Sequence, residues 1–235
     1  MLSTNFTSSE EFKNFARNHT VSLHNLFPKT SFSEVLKIDM STELSPDSNY
    51  DTVVELGDFI SEIQKKNPNA LLANGYLERR MFYTTEAYKR ITPNSSEYRN
   101  IHLGTDFWVP AQTPVHTPFD GKIVILEDNN FPKDYGPTLV LEHSYNGQLF
   151  YTLYGHLSRE SLALHKKGNQ IKAGERIGFI GEPEENGNWA PHLHFQIILD
   201  LLGNTENFPG VAFPSEIEKW KTICPNPSLL FVEDF

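Results

Sequence analysis

Three short stretches of this chain carry residues able to hold a cation and move a proton: His102-Leu103-Gly104-Thr105-Asp106, Tyr154-Gly155-His156 and His192-Leu193-His194. Imidazole nitrogen and carboxylate oxygen both donate lone pairs to a divalent ion, and imidazole also exchanges protons near neutral pH. His102 and Asp106 are four apart, an even spacing that keeps both on one face of an extended segment. Gly104 between them permits a tight backbone approach. His192 and His194 are two apart at a predicted strand, so both leave the same face while Leu193 turns toward the core. His156 follows the end of another predicted strand and reaches the same space from a neighbour. A catalytic zinc commonly takes three protein ligands of nitrogen and oxygen type and keeps one position for water. The remaining two histidines are then free for proton transfer or for stabilising an oxyanion. Zinc suits imidazole plus carboxylate, and other divalent metals fit the same donors. Each motif alone is a weak signal; the three in this order are specific.

The elements that must position these residues are short strands punctuated by turns. Residues 122–127 follow Asp120-Gly121, and residues 138–143 follow Gly136-Pro137. Residues 148–154 follow Asn146-Gly147, which predicts a β-hairpin with 138–143. Residues 176–180 lie between Gly174 and Gly181, and residues 193–199 form the last predicted strand. Strands this closely spaced, without long helices between them, predict a mostly antiparallel sheet.

The first part of the chain is mixed and partly helical. Ser8 with Glu11 forms a capping box ahead of Phe12 and Phe15. Asp51 is placed to cap a helix with Val53, Leu56, Ile60 and Ile63 on its apolar face, and Pro68-Asn69 marks the stop. Residues 41–50 read as loop. The fold class expected is therefore α+β, mainly β, with a partly helical N-terminal region. The expected division is an N-terminal region over 1–75, the zinc domain over 76–202, and a Pro-containing tail over 203–235 packed on that domain, with a short helix over 214–221.

Bulk properties narrow the function classes. The chain has 235 residues, 38% of them hydrophobic and 21% charged, as befits a folded globular protein. Its formal net charge of -10 opposes nonspecific binding to nucleic acid or to anionic membranes. Neither is expected as a partner. The single cysteine, Cys224, excludes an intramolecular disulfide and a Cys-rich metal site, and reads as an ordinary buried thiol. Met1 to Thr7 lacks the basic and apolar regions of a secretory signal, so the expected location is cytoplasmic.

Taken together, the motifs resemble the lysostaphin-type (LytM-like) zinc metalloendopeptidases, which cleave peptide cross-links of bacterial peptidoglycan. The resemblance spans about residues 99–198. It includes the His102 to Asp106 stretch, Thr113-Pro-Val-His-Thr-Pro-Phe-Asp-Gly121, Tyr154-Gly-His-Leu157, Gly174-Glu-Arg-Ile-Gly178 and Pro191-His-Leu-His-Phe195. It implies one zinc ion per chain on His102, Asp106 and His194, with His156 and His192 as catalytic histidines. It implies an antiparallel β-sheet groove, and a peptide or peptidoglycan-derived substrate. Arg99-Asn-Ile-His102, Tyr135-Gly-Pro-Thr138 and Asn188-Trp-Ala-Pro-His192 are similar to a subgroup of LytM-like domains without signals, some fused to aminotransferase-type modules.

Two further readings stay open at the level of residues. One is an intracellular zinc amidase or peptidase with a non-wall substrate; the other is a non-catalytic module that uses the groove for binding. Which of His156 and His192 is the base is also open. Trp108, Tyr154 and Trp189 lie near the motifs and either shape the groove or pack. His143 reads as structural, His116 as part of a packed turn or else as lining the groove, and His165 as solvated. Residues 1–70 either cover the groove or scaffold the fold.

Overall fold

The computed structural model describes residues 4–6, 8–43, 53–80, 83, 86–92 and 95–235. Among these, nine strands form one sheet. From one edge its order is Gln170–Ile171, Gly121–Asn129, Gly136–Tyr145, Gln148–Gly155, Leu193–Ile198, Thr105–Trp108, Ala70–Asn74 and Glu34–Lys37, with Thr4–Asn5 added beside Gln148–Gly155. The last two strands of the path pair in parallel, as do Thr4–Asn5 and Gln148–Gly155; the other neighbours are antiparallel. The fold is α+β and mainly β.

Local chemistry explains the best-defined pieces. Asn146 and Gly147 turn the hairpin with φ of 49° and 82°, the left-handed pair that matches strand twist. Ser8 caps the Ser9–Ala16 helix by accepting from the Glu11 backbone N–H at 3.1 Å. That helix buries Phe12 against Phe6 and Phe150. The Val53–Lys66 helix packs Leu56, Ile60 and Ile63 against Leu72 and Trp108; Asp51, the expected cap, lies outside the described residues.

Side chains alternate across the sheet. Leu193, Phe195 and Ile197 join Phe107, Leu139 and Leu141 in the core on one face. Leu153, Val140 and Ile198 join Phe208 and Trp220 on the other. Both faces are thus covered, which accounts for the near-continuous apolar runs in the central strands.

The structure adds to or departs from the sequence reading at several points. Residues 41–43, expected as loop, belong to the helical turn Met40–Glu43, and residues 44–50 lie outside the described residues. The strands Glu34–Lys37 and Ala70–Asn74 had no clear signal: each is only four or five residues long, and runs this short do not declare a partner. Because both extend the main sheet past Gly75, the sheet continues across the expected division there. In the tail, Pro214–Glu216 is a 3-10 turn that continues into the Ile217–Ile223 helix.

Candidate metal centre

Strand register assembles the site. Gly155, His194, Asp106 and Asn74 stand opposite one another in sequence across four adjacent strands, a single row through the sheet. His102 is not on the Asp106 strand. It sits on the two-residue strand Ile101–His102, separated from Thr105–Trp108 by Leu103 and Gly104. That short strand pairs with Val211–Ala212, and the His102 backbone also bonds Leu77 and Glu78. The even-spacing argument for one extended segment therefore fails, and the chain bends at Gly104 instead. A Cβ at Gly104 would stand 2.6 Å from the His194 ring and 2.7 Å from the Phe195 carbonyl. Only glycine lets the bend pass that close.

The three expected ligands converge in the interior. His102 Nε2 lies 2.8 Å from His194 Nδ1, Asp106 Oδ1 lies 3.4 Å from the first and 3.2 Å from the second, and all three residues are buried. Among the described residues these three form a group with metal-holding geometry. The far atom of each is tied down. His102 Nδ1 meets the Gly75 carbonyl at 2.9 Å, which can only accept, so that nitrogen carries the proton and Nε2 is bare. His194 Nε2 meets Gln196 Oε1 at 2.9 Å. The Gln196 amide is oriented by its Nε2 donating to the Pro209 carbonyl at 3.1 Å, so His194 donates from Nε2 and its Nδ1 is bare. Asp106 Oδ2 faces Arg80 Nη2 at 2.7 Å.

Two imidazole lone pairs and a carboxylate oxygen thus face one another with no proton to share. Protonation is a poor remedy: burial, then Arg80, pushes His102 down to about 3. Burial is the largest single influence on the Asp106 carboxyl and would raise it, but Arg80 together with His102 and His192 outweighs it and holds the group well below the usual range. A buried cluster of acceptors of this kind calls for a cation, and the imidazole-carboxylate donor set fits zinc.

His156 and His192 open onto the same cavity. Their Nδ1 atoms donate to the Asn186 carbonyl at 2.8 Å and to the Ala190 carbonyl at 2.6 Å, which leaves both Nε2 atoms with lone pairs. His192 Nε2 is 3.7 Å from Asp106 Oδ1, and the two catalytic candidates have ring centroids 4.3 Å apart. Burial depresses both, His156 further below the ordinary histidine value, so both are neutral bases at pH 7. His156 holds a left-handed backbone, φ 61°, fixed by its N–H to the Tyr135 carbonyl and its carbonyl to the Gly181 N–H. Such a conformation in a non-glycine residue is strained and persists where the surroundings impose it.

The cavity, about 250 Å³, is walled by Trp108, Trp189, Tyr83 and Tyr135. Trp108 and Trp189 line the cavity and also pack in the adjoining core, whereas Tyr154 points into the opposite core, bonding Thr152 and Thr117. His143 is structural, bonding the Asp120 carbonyl and Thr152. Cys224 is buried. Sequence reading missed Arg80, Glu78, Gln196 and Asn186. Of these only Gln196 left a sign, its spacing of two from His194 on one strand face.

The sequence of residues 100–206 matches the model of peptidase family M23. The chain is 35% identical over 111 residues to the peptidoglycan DD-endopeptidase ShyA of Vibrio cholerae, covering 47% of this chain and 21% of that protein. It is 34% identical over 131 residues to lysostaphin of Staphylococcus staphylolyticus, covering 54% of this chain and 25% of that protein. It therefore spans about a quarter or less of these two relatives. A zinc-containing peptidase of Vibrio cholerae has a solved structure 34% identical to this chain, covering 47% of it and 30% of that chain, with a TM-score of 0.35. No described helix is long and apolar enough to cross a membrane. Residues 100–206, a little under half of the chain, thus match peptidase family M23.

Proposed function

We propose that this chain is a zinc metalloendopeptidase that hydrolyses peptide bonds in peptidoglycan cross-links or related peptides, with one zinc on His102, Asp106 and His194. The observation that carries the reading is the set of three unprotonated, buried acceptors beside two more bare imidazole nitrogens in one cavity. The relatives named as peptidoglycan endopeptidases support the substrate class.

Zinc at this donor set supplies a Lewis acid for the scissile carbonyl and makes water acidic enough to ionise near neutral pH. The chain supplies the rest. His192 Nε2, the nearer to Asp106, takes the proton of the attacking water and later delivers it to the leaving amine. His156 Nε2, on the ring beside that of His192, accepts a hydrogen bond from the water and orients it. Trp108 and Trp189 exclude bulk solvent from the reacting bond.

The test is digestion of purified peptidoglycan by zinc-loaded protein, with mass analysis of the products. New free amino and carboxyl termini in the peptide stems, lost when a chelator is added, are expected. Intact peptidoglycan alongside zinc-dependent cleavage of a soluble peptide library would move the substrate off the wall; no cleavage of either would leave a binding module.

A further inference from the structure

Arg80 lies outside the family-matched segment, yet its guanidinium reaches the heart of the site. The two oxygens of Asp106 face different partners. Oδ1 faces His102 Nε2 and His194 Nδ1, whereas Oδ2 lies 2.7 Å from Arg80 Nη2. Arg80 is itself fixed by Glu78, with Nε donating to Oε2 at 2.8 Å. Glu78 accepts from Asn74 Nδ2 at 2.9 Å and, on its other oxygen, from the Met40 backbone N–H. Asn74 in turn accepts from Trp108 Nε1 at 2.6 Å, and its backbone stands opposite Asp106 in the sheet. The network leaves the strand that carries Asp106 through Trp108, and it returns to Asp106 through Arg80. All its charged members are buried.

A carboxylate free to turn can offer a cation one oxygen or both. Here one oxygen is already held. The guanidinium is a planar fork that can grip two carboxylates at set positions, which an ammonium cannot. We infer that Arg80 is a positioning residue for the metal site proposed above: by holding Asp106 Oδ2 it makes the carboxylate a one-oxygen ligand and keeps a coordination position open for water. The inference rests on that metal-site reading. It also assigns a task to Glu78 and Asn74, which hold the guanidinium against Asp106.

The experiment uses the full chain as wild type, Arg80→Met and Arg80→Lys. Zinc affinity is measured by competition with a chromophoric chelator, and coordination geometry by the visible absorption of the cobalt(II)-loaded protein. Circular dichroism of the metal-free proteins reports folding. Arg80→Met is expected to bind zinc at least about tenfold more weakly, as other losses of a ligand's outer partner do, with altered cobalt bands. Arg80→Lys restores the charge without the fork and should fall between. A folded Arg80→Met with wild-type affinity and cobalt bands would overturn the inference. Should Arg80→Met not fold, the same two measurements on Arg80→Lys decide, and wild-type values there overturn it. A wild type that takes up no metal would instead remove the metal-site reading, an outcome visible before any variant is compared.

Discussion

His194 stands directly opposite Asp106 across an antiparallel pair of strands, and their facing atoms, Nδ1 and Oδ1, are 3.2 Å apart. Two of the proposed ligands are thereby brought together by sheet register alone. A slip of one residue would turn His194 into the Phe195 core and Asp106 away from it. The site is as rigid as the sheet that carries it, and the predictions below follow from that coupling.

Metal and fold should be linked. An ion that binds only the folded chain stabilises it by about 2.7 kcal/mol at a hundredfold excess over Kd. Wild-type protein is expected to carry about one zinc and to melt at higher temperature with zinc than with chelator. His194→Ala should carry none and show no such difference. Elemental mass spectrometry and paired melting curves check both points.

His156→Asn should separate binding from turnover. Asparagine tolerates the left-handed backbone at this position, so the variant keeps the fold while losing the imidazole. Zinc content should be unchanged, and kcat on a cleavable peptide should fall about 10²- to 10⁴-fold. Undiminished kcat would remove His156 from the reaction.

Gln196→Leu should loosen the metal. It deprives His194 Nε2 of its acceptor, and the ring is then free to place its proton on Nδ1, the nitrogen needed for the ion. Zinc affinity is expected to drop about 10- to 100-fold with the fold retained. A chelator competition equal to wild type would show that the tautomer is set by something else.

Gly104→Ala should damage both stability and site. The added methyl meets the His194 ring at 2.6 Å and the Phe195 carbonyl at 2.7 Å, and the carbonyl belongs to the central sheet and cannot yield cheaply. A loss of about 1–3 kcal/mol in urea unfolding, with weaker zinc binding, is expected.

Stability should fall in mild acid through His143, which is remote from the metal ligands. Burial pushes this imidazole down to about 4, whereas the unfolded chain takes a proton near 6.5. The folded pKa is the lower of the two, so the unfolded state binds more protons between these values. The contribution is complete above about pH 6.5 and is lost as pH falls toward 4, at up to about 1.4 kcal/mol per pH unit. Urea unfolding at pH 7, 6 and 5 should show a shallower slope for His143→Gln than for wild type. Parallel slopes would mean that His143 titrates normally in the folded protein.

The chain's order of residues was enough to name the four histidines and the aspartate that meet at the cavity and to place most strands. Those inferences needed only local facts: alternation sends His192 and His194 to one side, Asn146-Gly147 closes a hairpin, and Ser8 with Glu11 starts a helix. What local facts lack is the identity of a partner. That Ala70–Asn74 pairs with Thr105–Trp108, that Arg80 turns in to Asp106, and that Asn186 and Ala190 orient the His156 and His192 rings through their carbonyls were all decided by tertiary structure. These contacts join residues far apart in sequence, and neither the short apolar strand nor the lone arginine carries any periodicity that names what it will meet. Even the bend at Gly104, which puts His102 and Asp106 on separate strands, exists because the His194 ring must pass against it. Which residues could bind a metal is written in their types and spacing; that they face one another without a proton between them is a property of the folded sheet.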